Sequence, residues 1–122
     1  MPLDKTLPND SSAPAEVRRA LAGFLTGSGL PQLIDDAQLL ASELVTNAIR
    51  HARGPIGVHA HIRDGVLHLE VRDSAADCPP VPRQADPEEM GGRGMELVSK
   101  VASRWGWRAD KQCKIVWVDL RL

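Results

Sequence analysis

The chain has 122 residues, of which 43% are hydrophobic and 25% charged, with fifteen Lys and Arg against sixteen Asp and Glu for a net charge of −1. That size suits a single domain, residues 1–122, burying roughly two-thirds of the surface its unfolded form exposes. The charge balance excludes a strongly basic module held on nucleic acid by charge alone, and a polybasic membrane anchor.

No apolar run approaches the ~20 residues of a membrane span. Met1 opens onto Pro2-Leu3-Asp4, which is not the basic-then-apolar pattern of a leader. Cys78 and Cys113 show no metal spacing, so a reducing cytoplasm is the expected setting. With one Phe, three Trp and no Tyr, stacking on single-stranded bases is disfavoured.

Residues 1–11 are a polar entry segment, in which Leu3 and Leu7 suit a short edge strand. A helix is expected after Ser11-Ser12. Pro14 fits its first turn and Glu16 the positive end of its dipole. Val17, Leu21, Phe24 and Leu25 recur at helical spacing, and Gly27 and Gly29 end it. A second helix is predicted from Pro31 to Ala52, with Leu33, Ala37, Leu40, Leu44 and Ala48 as its apolar stripe.

Ile56, Val58, Ala60 and Ile62 then alternate with Gly57, His59, His61 and Arg63, and Asp64-Gly65 fits a type I′ hairpin turn. Pairing across that turn sets Ile62 against Leu67, Ala60 against Leu69, Val58 against Val71 and Ile56 against Asp73. The last inward position of the second strand is therefore a carboxylate. Residues 74–92 lack periodicity and read as a lid or a ligand loop. Gly92-Arg93-Gly94 opens a third helix containing Leu97, Val98 and Val101. Strands are expected at 104–108 and 114–122, with Val116, Val118, Leu120 and Leu122 on one face. The fold class is α+β: a two-layer sandwich with helices on one face of a mostly antiparallel mixed sheet.

Three clusters have residue types suited to chemistry. Glu43, Asn47 and His51 stand at i, i+4 and i+8 on the second helix. At about 100° per residue, Asn47 lies roughly 60° from the centre of the apolar stripe and His51 almost on it. Alone, such a line is more often a self-satisfying polar network than a site. Asp73, ending a strand on its inward side, needs a donor: a purine amino group, a helix N-terminus or an Arg would serve. Gly91-Gly92-Arg93-Gly94, leading into Met95, could bring backbone N–H groups close to phosphate, although a glycine-rich helix start is more often a flexible cap.

In this order the three clusters resemble a known family. Glu43-Leu44-Val45-Thr46-Asn47-Ala48-Ile49-Arg50-His51-Ala52 is similar to the N box of the GHKL ATPases. Val71-Arg72-Asp73 resembles the strand that ends in their adenine-reading Asp, and Gly92-Arg93-Gly94-Met95-Glu96-Leu97-Val98 resembles their second glycine box. Within that family the closest resemblance is to the anti-sigma factor serine/threonine kinases.

The resemblance implies the Bergerat ATP-binding fold, with ATP and Mg²⁺ as cofactors. It implies that Asn47 holds Mg²⁺, Glu43 orients or deprotonates the attacking hydroxyl, and Asp73 accepts from the adenine amino group. Gly92, Arg93, Gly94 and Met95 would lie over the phosphates, with Thr46 and His51 on the phosphate side. It implies a sigma factor and an anti-sigma factor antagonist as partners, and a homodimer.

Two stretches depart from the family pattern. The first glycine box reads Asp73-Ser74-Ala75-Ala76-Asp77, without glycine. Cys113-Lys114-Ile115 stands where the family carries Gly-Lys-Thr, so Ile115 replaces the hydroxyl that supports the adenine pocket. These departures favour the alternative of a docking module that keeps the fold with weak or no ATP turnover.

Overall fold

The computed structural model describes residues 2–74, 98, 100–109 and 113–122. The elements run β1 (Leu3–Leu7), α1 (Ala13–Gly27), a 3₁₀ turn (Pro31–Leu33), α2 (Ile34–His51), β2 (Ile56–Arg63), β3 (Val66–Asp73), β4 (Arg104–Ala109) and β5 (Lys114–Arg121). The strands form a five-stranded sheet in the order β1-β2-β3-β5-β4. Every pairing among the described residues is antiparallel. Val98, Lys100 and Val101 are helical, and the Ala102 N–H donates to the Val98 carbonyl at 3.0 Å. The expected loop at 74–92 and the glycine-rich helix start lie, apart from Ser74, outside the described residues.

Each helix buries the stripe that its spacing foretells. In α1, Ala13, Val17, Leu21 and Leu25 are fully buried at steps of four. The helix ends at Gly27, and Gly29 at φ 74° supplies the left-handed residue that turns the chain away. In α2, Ala37, Leu40, Ala41, Leu44, Val45 and Ala48 face the sheet. The first turn expected of this helix is instead the 3₁₀ turn at Pro31–Leu33, a tighter winding that is frequent at the start of an α-helix.

The hairpin register is the predicted one. Ile62 pairs with Leu67, Ala60 with Leu69 and Val58 with Val71. Asp64 at φ 53° and Gly65 at φ 76° form the type I′ turn whose twist matches the strands. The same register continued by one residue sets Ile56 across from Asp73. Leu3 and Leu7 lie on β1, which covers the free edge of β2.

The core lies between the helices and one sheet face. It contains Ile56, Val58, Ala60, Leu67, Leu69, Val71, Val116 and Val118. Each of the larger side chains contributes about 1.5–3 kcal/mol by leaving water. Leu122 departs from its expected face and is 51% exposed, because it follows the last paired residue of β5.

Candidate functional site

Helix α2 carries one side of the site. Asn47 belongs to its buried face at 7% exposure, while Glu43 and Thr46 are half-buried at the rim. Glu43 lies one turn before Asn47, so both oxygens project from neighbouring levels of one helix edge. Burial pushes the Glu43 carboxyl above its ordinary value, because the charged form loses solvation there. A carboxylate made more basic in this way suits proton acceptance.

His51 is exposed, not turned into the layer as its angular position on the stripe suggested. It is the last residue of α2, where the helix runs past the apolar core, so stripe angle no longer implies burial.

The chain leaving α2 is tied to the end of the sheet. The Asn9 side-chain amide donates to the carbonyls of Ala52 at 2.9 Å and Gly54 at 3.1 Å. The backbone N–H groups of Arg53 and Gly54 both approach the Ser74 hydroxyl oxygen at 3.4 Å. Asp73 directly precedes Ser74, so these bonds set the end of β3 beside the end of α2. A cleft of about 390 Å³ opens at this edge, lined in part by Gly54, Arg72, Asp73, Ser74 and Cys113.

Asp73 is buried at 4% exposure, as its inward register requires. Its partner across β5 is Lys114, which has 0% exposure. The Lys114 Nζ stands 3.9 Å from the Asp73 Oδ2. This lysine is a cation beside the inward carboxylate, a partner that the strand pattern did not identify. It also corrects the placement of Ile115. Ile115 pairs with Arg72 and Arg108, on the sheet face opposite Asp73, so the residue beside the carboxylate is Lys114, and a hydroxyl that supports a pocket at Asp73 would have to stand at 114 and not at 115. Counting back by twos from Val118 and Val116 arrives at Lys114, a signal already present in the sequence.

Magnesium fits the α2 side. Asn47 offers a hard amide oxygen with a carboxylate one turn away, and Mg²⁺ takes few protein ligands when phosphate and water oxygens supply the rest. Among the described residues no group of three His, Cys, Asp or Glu side chains is placed to hold a metal by itself. Gly92, Arg93, Gly94 and Met95, the expected phosphate lid, lie outside the described residues. Thus the structure brings Glu43, Thr46 and Asn47 together on one helix edge and Asp73 to the sheet end beside that helix's exit. No described helix is long and apolar enough to cross a membrane.

The family model described as the histidine kinase-like ATPase domain matches residues 7–120. No curated protein matches. Among solved structures, the chain is similar to the RsbU and RsbW domains of Rv1364c from Mycobacterium tuberculosis. The TM-score there is 0.77 at 23% identity, covering 100% of this chain and 32% of that one. It is also similar to the histidine kinase domain of the blue-light activated histidine kinase EL346 from Erythrobacter litoralis (TM-score 0.57, 21% identity, 89% and 60% covered). A third likeness is to the Acinetobacter baumannii histidine kinase AdeS (TM-score 0.53, 12% identity, 98% and 67% covered). The chain thus spans about a third of the Mycobacterium tuberculosis chain it matches. These likenesses establish the fold.

Proposed function

The chain belongs to the histidine kinase-like ATPase domain family, and from that premise we propose that it binds ATP with Mg²⁺ and acts as a regulator of the anti-sigma type. In this reading it holds a sigma factor and transfers the γ-phosphoryl group to a Ser or Thr of an antagonist protein. The observation that carries the reading is the α2 edge, where a half-buried Glu43 of raised basicity stands one turn before the buried Asn47 amide. Support also comes from the fold likeness, over the whole chain, to the protein with RsbU and RsbW domains.

Phosphoryl transfer needs positioning, charge neutralisation and one group to orient the nucleophile. Here Asn47 would hold the metal and Glu43 would take the proton of the attacking hydroxyl. The bond from the γ-phosphorus to its bridging oxygen breaks and ADP leaves. The added phosphate then changes the charge of the antagonist and its contact with the regulator.

Calorimetric titration with Mg-ATP and single-turnover transfer to a candidate antagonist test this. Asn47→Ala should weaken ATP binding only when Mg²⁺ is present; equal affinity in Mg²⁺ would remove Asn47 as a ligand. Glu43→Gln should leave affinity within about threefold, less than 1 kcal/mol, while transfer falls at least about tenfold. Equal transfer rates would remove Glu43 as the base. A docking module with little turnover is the second reading, favoured by the cation already beside Asp73. Tight ATP binding without transfer to any antagonist would decide for it.

A further inference from the structure

Lys114 has no part in phosphoryl transfer as described above, yet it heads the fully buried side chains when these are ranked by residue volume. It projects from β5 onto the inner sheet face, directly across from Asp73. Its ammonium is 3.9 Å from the carboxylate, with the side chains 1% and 2% exposed. We propose that Lys114 is a resident counter-ion that occupies the base-reading position of the site, so that a purine is bound only as Lys114 gives up Asp73. This rests on the ATP-binding reading above.

Two physical arguments lead there. The first is charge. A carboxylate that accepts from a base amino group gains strength from its full negative charge. An ammonium buried beside it neutralises that charge, and taking the ammonium's place means separating a pair in a low-dielectric interior. The second is volume. A four-carbon stem and its ammonium, closed off from solvent, pack beside Asp73, and a base edge that reaches the carboxylate from the neighbouring cleft must displace them. Lys114 therefore sets nucleotide affinity, and a smaller residue at 114 that leaves Asp73 ionised admits the base more readily.

The test is calorimetric titration with Mg-ADP, which carries the base contact without γ-phosphate, on wild type, Lys114→Thr and Lys114→Met. Circular dichroism of each free protein checks folding. Lys114→Thr should bind at least about tenfold tighter than wild type, a difference of 1.4 kcal/mol. Lys114→Met, uncharged but still bulky, should fall between the two. Equal or weaker binding by a folded Lys114→Thr overturns the proposal; the lysine then aids the base, or stands apart from it. If neither wild type nor Lys114→Thr binds Mg-ADP, the ATP-binding reading falls and this inference falls with it.

Should the variants fail to fold, wild type with isotope-labelled lysine side chains provides the measurement. The Lys114 resonance should move as Mg-ADP saturates the protein. A resonance that stays in place while heat of binding is seen overturns the proposal.

Discussion

The two faces of the sheet use alternate residues of the same strands and are held by different physics. The inner face is aliphatic, with Val58, Ala60, Leu69, Val71 and Val118 each at 1% exposure or less. The outer face carries a polar and aromatic belt. The ring centroids of His61 and His68 are 5.0 Å apart, and those of His68 and Trp117 are 5.7 Å apart. His68 stands between Asp119 at 2.6 Å and Glu70 at 3.0 Å, and Arg108 reaches Glu70 at 3.4 Å. The inner face depends on volume and loses stability with every methylene removed, while the outer belt depends on charge geometry that water partly screens. Asp73 and Lys114 break the pattern, because they place an outer-face kind of contact on the inner face, where nothing screens it. That is also where the proposed base-reading position lies.

The largest expected effect is at this break. Asp73→Ala leaves the Lys114 ammonium buried without this counter-ion and should lower unfolding free energy by about 3–5 kcal/mol. Urea unfolding of the nucleotide-free protein measures it. A loss below about 1 kcal/mol would make the pair behave like an outer-face contact and erase the distinction. Next comes the aliphatic face proper. Leu69→Ala should cost about 2–5 kcal/mol, and the same titration should show an unchanged m-value.

A smaller effect is expected where the outer belt does depend on packing. A Cβ on Gly106 would stand 2.7 Å from Cζ2 and 2.9 Å from Cε2 of Trp117, so the indole must move. Gly106→Ala should cost about 1–3 kcal/mol and change the tryptophan fluorescence. Unchanged emission with unchanged stability would show that the ring has room to give.

The smallest effect belongs to the charges of the belt. Burial by itself would raise the Glu70 carboxyl; the His68 hydrogen bond and the Arg108 charge outweigh it and hold Glu70 below its ordinary value of 4.5. A carboxyl depressed in the folded state contributes stability above its unfolded value, and that contribution is lost as pH falls through the folded value. Glu70→Gln should therefore cost less than about 1 kcal/mol at neutral pH. The gap from wild type should close as acid is added below pH 4.5. A gap that widens in acid would reverse the sign.

Much of this arrangement can be read from residue order, and the parts that cannot share one cause. Apolar steps of three and four locate α1 and α2, and alternation with Asp64-Gly65 determines the β2–β3 register to the residue, because a slip of one would turn every side chain to the wrong face. The inward carboxylate at Asp73 follows from that register without further information. The line of Glu43 and Asn47 along a helix is likewise local. His51 is exposed although it lies on the stripe, because burial depends on how far the core extends beneath the helix, and periodicity carries no record of that extent.

By itself, then, the sequence determined which face of each helix and of the β2–β3 hairpin turns inward, where the chain turns, and that the strand-end carboxylate at Asp73 lies on the inward face. Those properties follow from spacings of two to four residues, set by backbone geometry. Only the tertiary structure decided what meets Asp73. Its neighbour on β5 lies 41 positions along the chain. Alternation marks Lys114 as inward, but which inward residue of β5 comes opposite Asp73 depends on a cross-strand register that no turn of short length imposes. Likewise Asn9 and Ser74 lock the exit of α2 to the sheet through hydrogen bonds that join residues distant in sequence. The order of residues sets local geometry, whereas the pairing of a buried charge is decided by whichever partner the packed sheet brings within reach, since an ion left unpaired in that interior costs more than the fold can spare.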